Sequence, residues 1–265
     1  MNKYLKRSVV EAVSITSLLF MFIPEDTFKM KILFSKLSVE INVIINKGFF
    51  LIAVIIFTLI LNLFCRKVCV EGKNYKVQIK YGNLFKEKKC KIVIPFDECF
   101  SINVGLAPSD INPQSICGQY LLSNPNLDIQ QLINFSQIKT KGKSKYAGKN
   151  RYESGRVIQN GQYLLLAFAK LDRVGRGVLS REEYIESLFV LWEELDNHYG
   201  QQDVCIPILG SGTTRIGDNE LTQQELLDII INSYKLSMHK IKKPYKLRIV
   251  CKHRDGFSLN KIEAI

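Results

Sequence analysis

The chain of 265 residues is poor in the residues that build metal centres and disulfide frameworks. It has three histidines, His198, His239 and His253, and their spacing is not that of metal ligands. Its seven cysteines are an odd number and include no CxxC pair. This pattern argues against a disulfide framework and a zinc site, and it fits a reducing cytosol. We therefore expect no metal and no resident cofactor.

Motifs for common catalytic chemistry are also missing. The chain has no G-x-x-x-x-G-K-[ST] phosphate loop and no G-x-S-x-G nucleophile elbow. Residues 171–184 imitate a calcium-binding EF-hand loop, but Val174 and Arg176 occupy positions where calcium needs oxygen ligands. Asp97 and Glu98 are adjacent, so their side chains point apart and do not form an acid–base pair. We predict no catalytic residue, and a turn-forming role for Asp97 remains an alternative to ligand binding.

Long apolar runs occur at the N-terminal end. Residues 48–65 are 18 residues without a charge, about 27 Å of helix, which is close to the thickness of a bilayer core. Residues 8–23 form a shorter run with Glu11 near its start. We predict a transmembrane hairpin over residues 1–66, with spans at about 8–23 and 48–65. The alternatives are a buried core helix for the second run and an interfacial helix for the first.

Positive charge is concentrated beside these runs. The net charge is +12, and residues 66–91 carry nine Lys or Arg against two acids, Glu71 and Glu87. Three more basic residues precede Ser8. The positive-inside rule therefore places both termini in the cytoplasm, beside an anionic leaflet. A second basic cluster at residues 139–151 is predicted to be a mobile loop. The basic residues are not interleaved with aromatics, so we expect no nucleic acid as partner.

Residues 67–265 alternate strands with helices and predict a layered α/β sheet. Strands are predicted at residues 75–81, 90–96, 161–171, 203–209 and 245–252, and helices at residues 115–122, 180–199 and 222–238. The first two strands are predicted to form a β-hairpin. The second and third helices begin with the capping boxes Ser180 to Glu183 and Thr222 to Glu225.

In such sheets, ligands bind outside the carboxyl ends of the strands. The loops expected there are PFDECFS, AKLD, GSGTTR and HRDGF. In GSGTTR, residues 210–215, glycines allow backbone N–H groups to converge on an anion, while hydroxyls and an arginine add donors. This composition predicts a phosphate site, and a plain strand-to-helix connection is the alternative.

Three stretches together resemble the macrodomain of Thoeris antiphage effectors, in which two membrane helices precede a macrodomain. They are IVIPFDECFS with INPQSICGQYL, YESGRV with GQYLLLAFAKLD, and SREEYIESLFVLWEELD with DVCIPILGSGTTR. The resemblance covers residues 68–252 and implies a three-layer α/β/α sandwich with a mixed sheet and a pocket for ADP-ribose. Two family features are altered: PFDE replaces the asparagine-rich signature, and the triple glycine is reduced to Gly118. These departures argue against a hydrolase function and favour a sensor function.

The resemblance implies the ligand-binding residues. They are Phe96, Asp97, Ser115, Ile116, Gly118, Gln119, Gly210, Ser211, Gly212, Thr213, Thr214 and Arg215, and the sheet-edge loop AKLD adds Lys170 and Asp172. It also implies a multi-pass effector of the bacterial inner membrane that senses an ADP-ribose conjugate, such as histidine-ADP-ribose. That nucleotide messenger comes from a TIR-domain enzyme, and the bound effector forms a homo-oligomer that disrupts the lipid bilayer. The main alternative is a membrane-tethered ADP-ribosyl hydrolase or phosphoesterase with Asp97 or Asp172 as general base. A constitutive membrane scaffold is a third possibility.

Overall fold

The computed structural model describes residues 3–29, 38–63, 67–217, 221–252, 256–259 and 262. The chain divides into two compact units. One comprises Met1–Arg66 with Leu259–Glu263, and the other comprises Lys67–Ser258 with Ala264–Ile265.

The N-terminal unit contains two helices that pack against each other, α1 (Lys3–Phe22) and α2 (Val39–Leu63). A 3-10 helix, Glu25–Lys29, follows α1. The ring of Phe28 lies 5.5 Å from that of Phe20 on α1 and 6.1 Å from that of Phe50 on α2, so an aromatic cluster joins the three elements. Such ring pairs add about 0.5–1.5 kcal/mol each beyond their burial.

Helix α2 begins well before the predicted start at residue 48. Lys47 lies within it because lysine is a good helix former, and its Nζ pairs with Glu25 Oε1 at 2.9 Å. Among the described residues, one helix is long and apolar enough to cross a membrane, over Val39–Leu61. Its apolar side chains are largely exposed, with Ile44 at 70% and Phe57 at 61%, unlike those of a buried core helix. The apolar part of α1, Val9–Phe22, is shorter.

The second unit alternates strands and helices. In chain order its elements are β1 (Lys67–Glu71), β2 (Lys76–Tyr81), β3 (Cys90–Asp97), α3 (Ile116–Ser123), α4 (Ile129–Ser136), β4 (Gly142–Lys143), β5 (Asn150–Arg151), β6 (Val157–Asn160), β7 (Tyr163–Leu171), β8 (Gly177–Leu179), α5 (Arg181–His198), β9 (Asp203–Pro207), β10 (Arg215–Ile216), α6 (Gln223–Leu236) and β11 (Leu247–Cys251).

Over the described residues the main sheet has nine strands and is mixed. Its order is β1-β2-β11-β9-β3-β7-β8-β10, with β6 also paired to β7. The five central strands β2, β11, β9, β3 and β7 are mutually parallel. Strands β1, β6 and β8 pair antiparallel to their neighbours, and β10 is parallel to β8.

The predicted hairpin between the strands at residues 75–81 and 90–96 is wrong. Strand β2 pairs antiparallel with β1 and parallel with β11, while β3 lies between β9 and β7. The tight turn is the one before β2, where Gly72 N donates to Tyr75 O at 3.1 Å. A longer connection containing the 3-10 helix Leu84–Lys86 separates β2 from β3 and carries the chain to the middle of the sheet.

Helices cover both faces of the sheet. On one face, Ile94 and Phe96 of β3 share a buried cluster with Tyr120 of α3 and Ile133 of α4. On the other, the ring of Phe168 in β7 meets that of Tyr184 in α5 at 5.9 Å. Each fully buried side chain of this size stabilises the fold by about 1.5–3 kcal/mol. The predicted three-layer α/β/α architecture with a mixed sheet is confirmed.

Both predicted capping boxes are present. Ser180 and Glu183 cap α5, and Thr222 and Glu225 cap α6. Residues 139–151, predicted as a mobile loop, instead contain a short antiparallel hairpin in which Lys143 pairs with Asn150.

Candidate functional site

Loops from four parts of the chain meet where the parallel strands end. A Cβ added to Gly175, in the turn between β7 and β8, would lie 2.8 Å from Ser109 Cβ and 3.1 Å from the Tyr146 ring. A Cβ added to Gly177 would lie 3.5 Å from Thr214 Oγ1. The loops after β3 and β9, the β4–β5 hairpin and the β7–β8 turn are therefore in contact. For the predicted loop HRDGF, residues 253–255 lie outside the described residues.

The first half of GSGTTR is fixed by the fold. Gly210 has φ +80°, and a Cβ there would lie 2.2 Å from Ile216 Cδ1, so the position requires glycine. Ser211 donates from its backbone N at 3.3 Å and from Oγ at 2.7 Å to Ile208 O. The Tyr184 hydroxyl donates to Leu209 O at 3.0 Å. These bonds hold the start of the loop against α5.

The second half of this segment is free to bind. Gly212 and Thr213 are exposed, and no atom lies within 4 Å of a Cβ added to Gly212. Arg215 is not in the loop as predicted, because it pairs with Val178 in the short parallel strand β10. Its side chain is exposed and has no hydrogen-bond or ion-pair partner in the described part of the chain. A strand thus presents a guanidinium that has no partner among the described residues beside the exposed hydroxyl of Thr213, which suits a phosphate.

Asp97 ends β3 and organises the turn that follows. Its Oδ1 accepts from the backbone N of Cys99 at 2.8 Å and of Ser101 at 3.2 Å. Burial raises the pKa of this carboxyl, and these two hydrogen bonds oppose the shift. The structure therefore gives Asp97 the turn-forming role that the sequence left open.

Phe96 lies below the edge, in the core. It is 3% exposed, and its ring centroid lies 5.9 Å from that of Phe100 and 6.1 Å from that of Tyr120. Its neighbours Ile94 and Ile92 belong to the same cluster, as the two-residue period of a strand requires. The side chain supports the floor of the site and does not reach its surface.

The predicted helix start at Ser115 is confirmed. Ser115 Oγ accepts from Gly118 N at 2.9 Å and donates to Asn112 O at 2.7 Å. A Cβ on Gly118 would lie 2.2 Å from Asn112 O, so glycine allows the loop to pack closely on α3. Gln119 Nε2 donates to Gln114 O at 2.8 Å. Helix α3 begins at Ile116, and first-turn amides without intrahelical partners favour an anion.

Lys170 and Asp172 stabilise the β7–β8 turn. Lys170 Nζ pairs with Glu183 Oε1 at 2.5 Å, and Glu183 also caps α5. Asp172 Oδ1 accepts from the backbone N of Val174 and of Arg176, each at 2.9 Å. The hydrogen bond from Arg176 N is the main cause that lowers the pKa of Asp172. Among the described residues no group of three or more His, Cys, Asp and Glu side chains could hold a metal.

The structural role of Glu98 was not predicted from the sequence. It is 2% exposed, and its Oε1 accepts from Ser144 Oγ at 2.7 Å and from Leu171 N at 3.3 Å. Arg151 Nη1 lies 3.7 Å from Oε2. This carboxylate fastens the β4–β5 hairpin to the ends of β3 and β7. No local pattern marks it, because its burial depends on a hairpin about 45 residues away.

A cavity of about 890 Å³ lies elsewhere. It is bounded by the segment after α4, by β6 and by α5, with Phe135, Arg156, Glu194 and His198 among its lining residues. Strand β6 pairs with the first half of β7, so the part of the cavity beside β6 lies away from the carboxyl ends of the strands. Its lining also includes Lys141 and Glu153, which flank the β4–β5 hairpin. We place the candidate site at the convergent loops, because that is where unpaired donors meet.

Comparison with known proteins assigns the family. The family model described as "Thoeris protein ThsA, Macro domain" matches residues 77–252, more than half of the chain. The chain belongs to the Thoeris ThsA macrodomain family.

A relative and two solved structures illustrate the similarity. The Thoeris protein ThsA of Bacillus amyloliquefaciens (strain Y2) is 30% identical over 219 residues, covering 79% of this chain and 73% of its own length. A mutant Oceanobacillus iheyensis macrodomain with ADPR is 12% identical, covering 71% of this chain and 91% of that one, with a TM-score of 0.45. The macrodomain of Thermus aquaticus DarG is 14% identical, covering 67% and 98%, with a TM-score of 0.39. The family match and the ThsA relative together make the chain a ThsA-like macrodomain protein of the Thoeris antiviral defence.

Proposed function

We propose that the chain is a membrane-anchored effector whose macrodomain senses an ADP-ribose-derived nucleotide, such as histidine-ADP-ribose, made by a TIR-domain enzyme. The observation that carries the proposal is the loop after β9. It starts on a rigid glycine turn at Gly210 and ends on Arg215, which has no partner in the described residues. Polar groups left unpaired at the carboxyl edge of a parallel sheet are available to a ligand.

The diphosphate of such a ligand fits this edge chemically. Thr213 and Thr214 offer hydroxyls, Gly212 allows close backbone approach, and Arg215 supplies a charge. The start of α3, capped by Ser115, offers further backbone donors. Charged hydrogen bonds of this kind contribute about 1.5–3 kcal/mol each.

The carboxylates support sensing over hydrolysis. Asp97 and Asp172, the two candidate bases, each accept two backbone N–H bonds through Oδ1. The Oδ1 atoms are thus committed to holding the two turns, and only the Oδ2 atom of each carboxylate is left to orient a water molecule as a general base would. Hydrolysis of the ligand remains the second candidate function, and the mass spectrometry described below tests it.

In this proposal the N-terminal unit carries out the response to ligand binding at the membrane. Helix α2 has the length and apolar character of a span over Val39–Leu61, and α1 packs against it. In this proposal the protein is a multi-pass protein of the bacterial inner membrane with both termini in the cytoplasm. Ligand binding favours a homo-oligomer that disrupts the bilayer. To shift the populations of two states from 1:99 to 99:1, the ligand must bind the favoured state more tightly by about 5.5 kcal/mol.

The test uses the full chain reconstituted in lipid nanodiscs and in dye-loaded vesicles. We expect calorimetric binding of ADP-ribose or histidine-ADP-ribose, ligand-dependent dye release, and recovery of the ligand unchanged by mass spectrometry. Absence of binding to both nucleotides would contradict the sensor. Turnover that disappears in the Asp97→Ala or Asp172→Ala variant would establish the hydrolase instead.

A further inference from the structure

The turn between β7 and β8 presents two arginines from a rigid base. The turn is held by Asp172 Oδ1, which accepts from Val174 N and Arg176 N. Gly175, at φ +86°, is packed against Ser109 and Tyr146. Arg173 and Arg176 are exposed, and neither has a hydrogen-bond or ion-pair partner within the described ranges. The segment that resembles a calcium loop in sequence therefore presents cations.

A third arginine lies on the neighbouring strand. Strand β10 pairs with β8 so that Arg215 is opposite Val178, two residues after Arg176. Thr214 lies in van der Waals reach of Gly177, at 3.5 Å from its added Cβ. The GSGTTR segment and the β7–β8 turn thus form one continuous surface.

The β4–β5 hairpin adds two lysines on the other side of the turn. Its Ser144 is bonded to the buried Glu98, and the ring of Tyr146 touches Gly175. Lys145 and Lys149 are exposed. The charge on Lys149 acts on Asp97, and that on Lys145 acts on Glu183, so both lysines lie close to the candidate site.

The nearby carboxylates offset these cations only in part. The charges of Arg176, Lys149 and Lys145 act on Asp172, Asp97 and Glu183 respectively, but the hydrogen bonds and ion pairs of these carboxylates go to other groups. Asp97 and Asp172 accept backbone N–H groups, Glu98 accepts from Ser144, and Glu183 pairs with Lys170. We call the five remaining cations the cationic rim, listed as Arg173, Arg176, Arg215, Lys145 and Lys149. Together with Lys170, which pairs with Glu183, the rim has six positive charges against the four carboxylates just named. This excess raises the local positive potential and the local concentration of anions.

We propose that the cationic rim captures the phosphate groups of the ligand: it accelerates association, and Arg173 and Arg176 contact the bound anion. The inference rests on the proposed function only in that the physiological ligand is a nucleotide diphosphate. Arginine suits this role because its planar fork binds phosphate oxygens in pairs.

The experiment measures association rates on the full chain in nanodiscs, with ADP-ribose as probe, over a range of salt concentrations. The variants are Arg173→Ala/Arg176→Ala and, independently, Lys145→Gln/Lys149→Gln. The matched control is Lys86→Ala/Lys88→Ala, which removes two exposed charges just before β3 begins, at the opposite edge of the sheet. Thermal melting checks that each variant is folded.

We expect each rim variant to slow association at low salt by about five-fold or more and to flatten its salt dependence, while the control stays within about two-fold of the wild type. Rim variants that behave like the control would overturn the inference even though the wild type binds. If the wild type binds neither ADP-ribose nor histidine-ADP-ribose, the proposed function fails, and calorimetry with inorganic pyrophosphate then decides the inference. Pyrophosphate binding that is lost in Arg173→Ala/Arg176→Ala supports the rim, whereas no binding, or equal binding by both proteins, rejects it.

Discussion

The two sides of the convergent edge use their polar groups differently. Around β3 and β7, the carboxylates of Asp97, Glu98 and Asp172 all accept hydrogen bonds from the protein itself. Around β10, the exposed Thr213 and Arg215 have no partner among the described residues. The first side uses its charges to hold loops in place, and the second keeps donors free. The second side, together with the exposed Arg173 and Arg176 of the β7–β8 turn, has the properties of a binding surface that is formed before its ligand arrives.

The largest effect should come from breaking the side that holds the loops. Glu98→Ala leaves the hydroxyl of Ser144 and the backbone N of Leu171 without their buried acceptor and removes the charge that faces Arg151. We therefore expect the free energy of unfolding to fall by about 2–4 kcal/mol. Urea denaturation of the full chain measures this change. Glu98→Gln keeps an acceptor for Ser144 and should lose less. If Glu98→Ala changes the free energy of unfolding by less than about 0.5 kcal/mol, Glu98 does not hold these loops in place.

Gly210 and Gly212 provide a matched pair within one loop. Gly210→Ala forces a Cβ to within 2.2 Å of Ile216 Cδ1 at φ +80°, and we expect a loss of stability of about 1–3 kcal/mol together with weaker ligand binding. A Cβ at Gly212 meets no protein atom within 4 Å, so the free energy of unfolding of Gly212→Ala should stay within about 0.5 kcal/mol of the wild type. Thermal melting and calorimetry on both variants make the comparison. Equal effects would show that the start of the loop is not rigid.

Arg215 should separate binding from stability. Because its side chain has no partner among the described residues, Arg215→Ala should leave the unfolding free energy within about 0.5 kcal/mol. It should weaken binding of a diphosphate ligand by about 1.5–3 kcal/mol. Lys86→Ala is the control for the loss of one charge. Unchanged affinity for Arg215→Ala would place the phosphate elsewhere on the edge.

The parts of the fold that local pattern determines were predictable. Continuous apolar runs identified β3, β7, β9 and β11, and the capping boxes at Ser180 and Thr222 marked the starts of α5 and α6. The shared edge of the parallel strands followed from the α/β alternation. The two-residue period also indicates that Phe96 faces the same core as Ile94, although the family resemblance had suggested a ligand contact.

What could not be predicted depends on distant partners. Strand β2 pairs with β11 across more than 160 residues of chain, and no local signal specifies that choice. Strands β8 and β10 have three and two residues, too few to show a period. The burial of Glu98 depends on the β4–β5 hairpin, whose basic sequence alone indicated a mobile loop.

The smallest predicted effect is on the pH dependence of protein stability. It tests how the fold holds the carboxylates on the first side of the edge. Burial raises the pKa of Asp97, whereas backbone hydrogen bonds lower that of Asp172. A carboxyl with a raised folded-state pKa binds its proton more tightly in the native state, so its contribution to stability falls as pH rises from about 4 to the folded pKa. Asp97→Asn keeps the Oδ1 acceptor for Cys99 and Ser101 but cannot ionise, so its stability relative to the wild type should increase over that range and then level off.

Asp172→Asn is the control, and the opposite sign is expected for it. A lowered folded-state pKa stabilises the native state above the unfolded value and loses that stabilisation as pH falls through the folded pKa. Removing the charge of Asp172 should therefore lower stability at neutral pH, with little further change between pH 5 and 7. Urea unfolding at pH 4, 5.5 and 7 distinguishes the two variants. Parallel pH profiles for Asp97→Asn and the wild type would mean that the Asp97 carboxylate is no less solvated in the fold than in the unfolded chain, and the contrast between the two sides of the edge would then rest on hydrogen bonding alone.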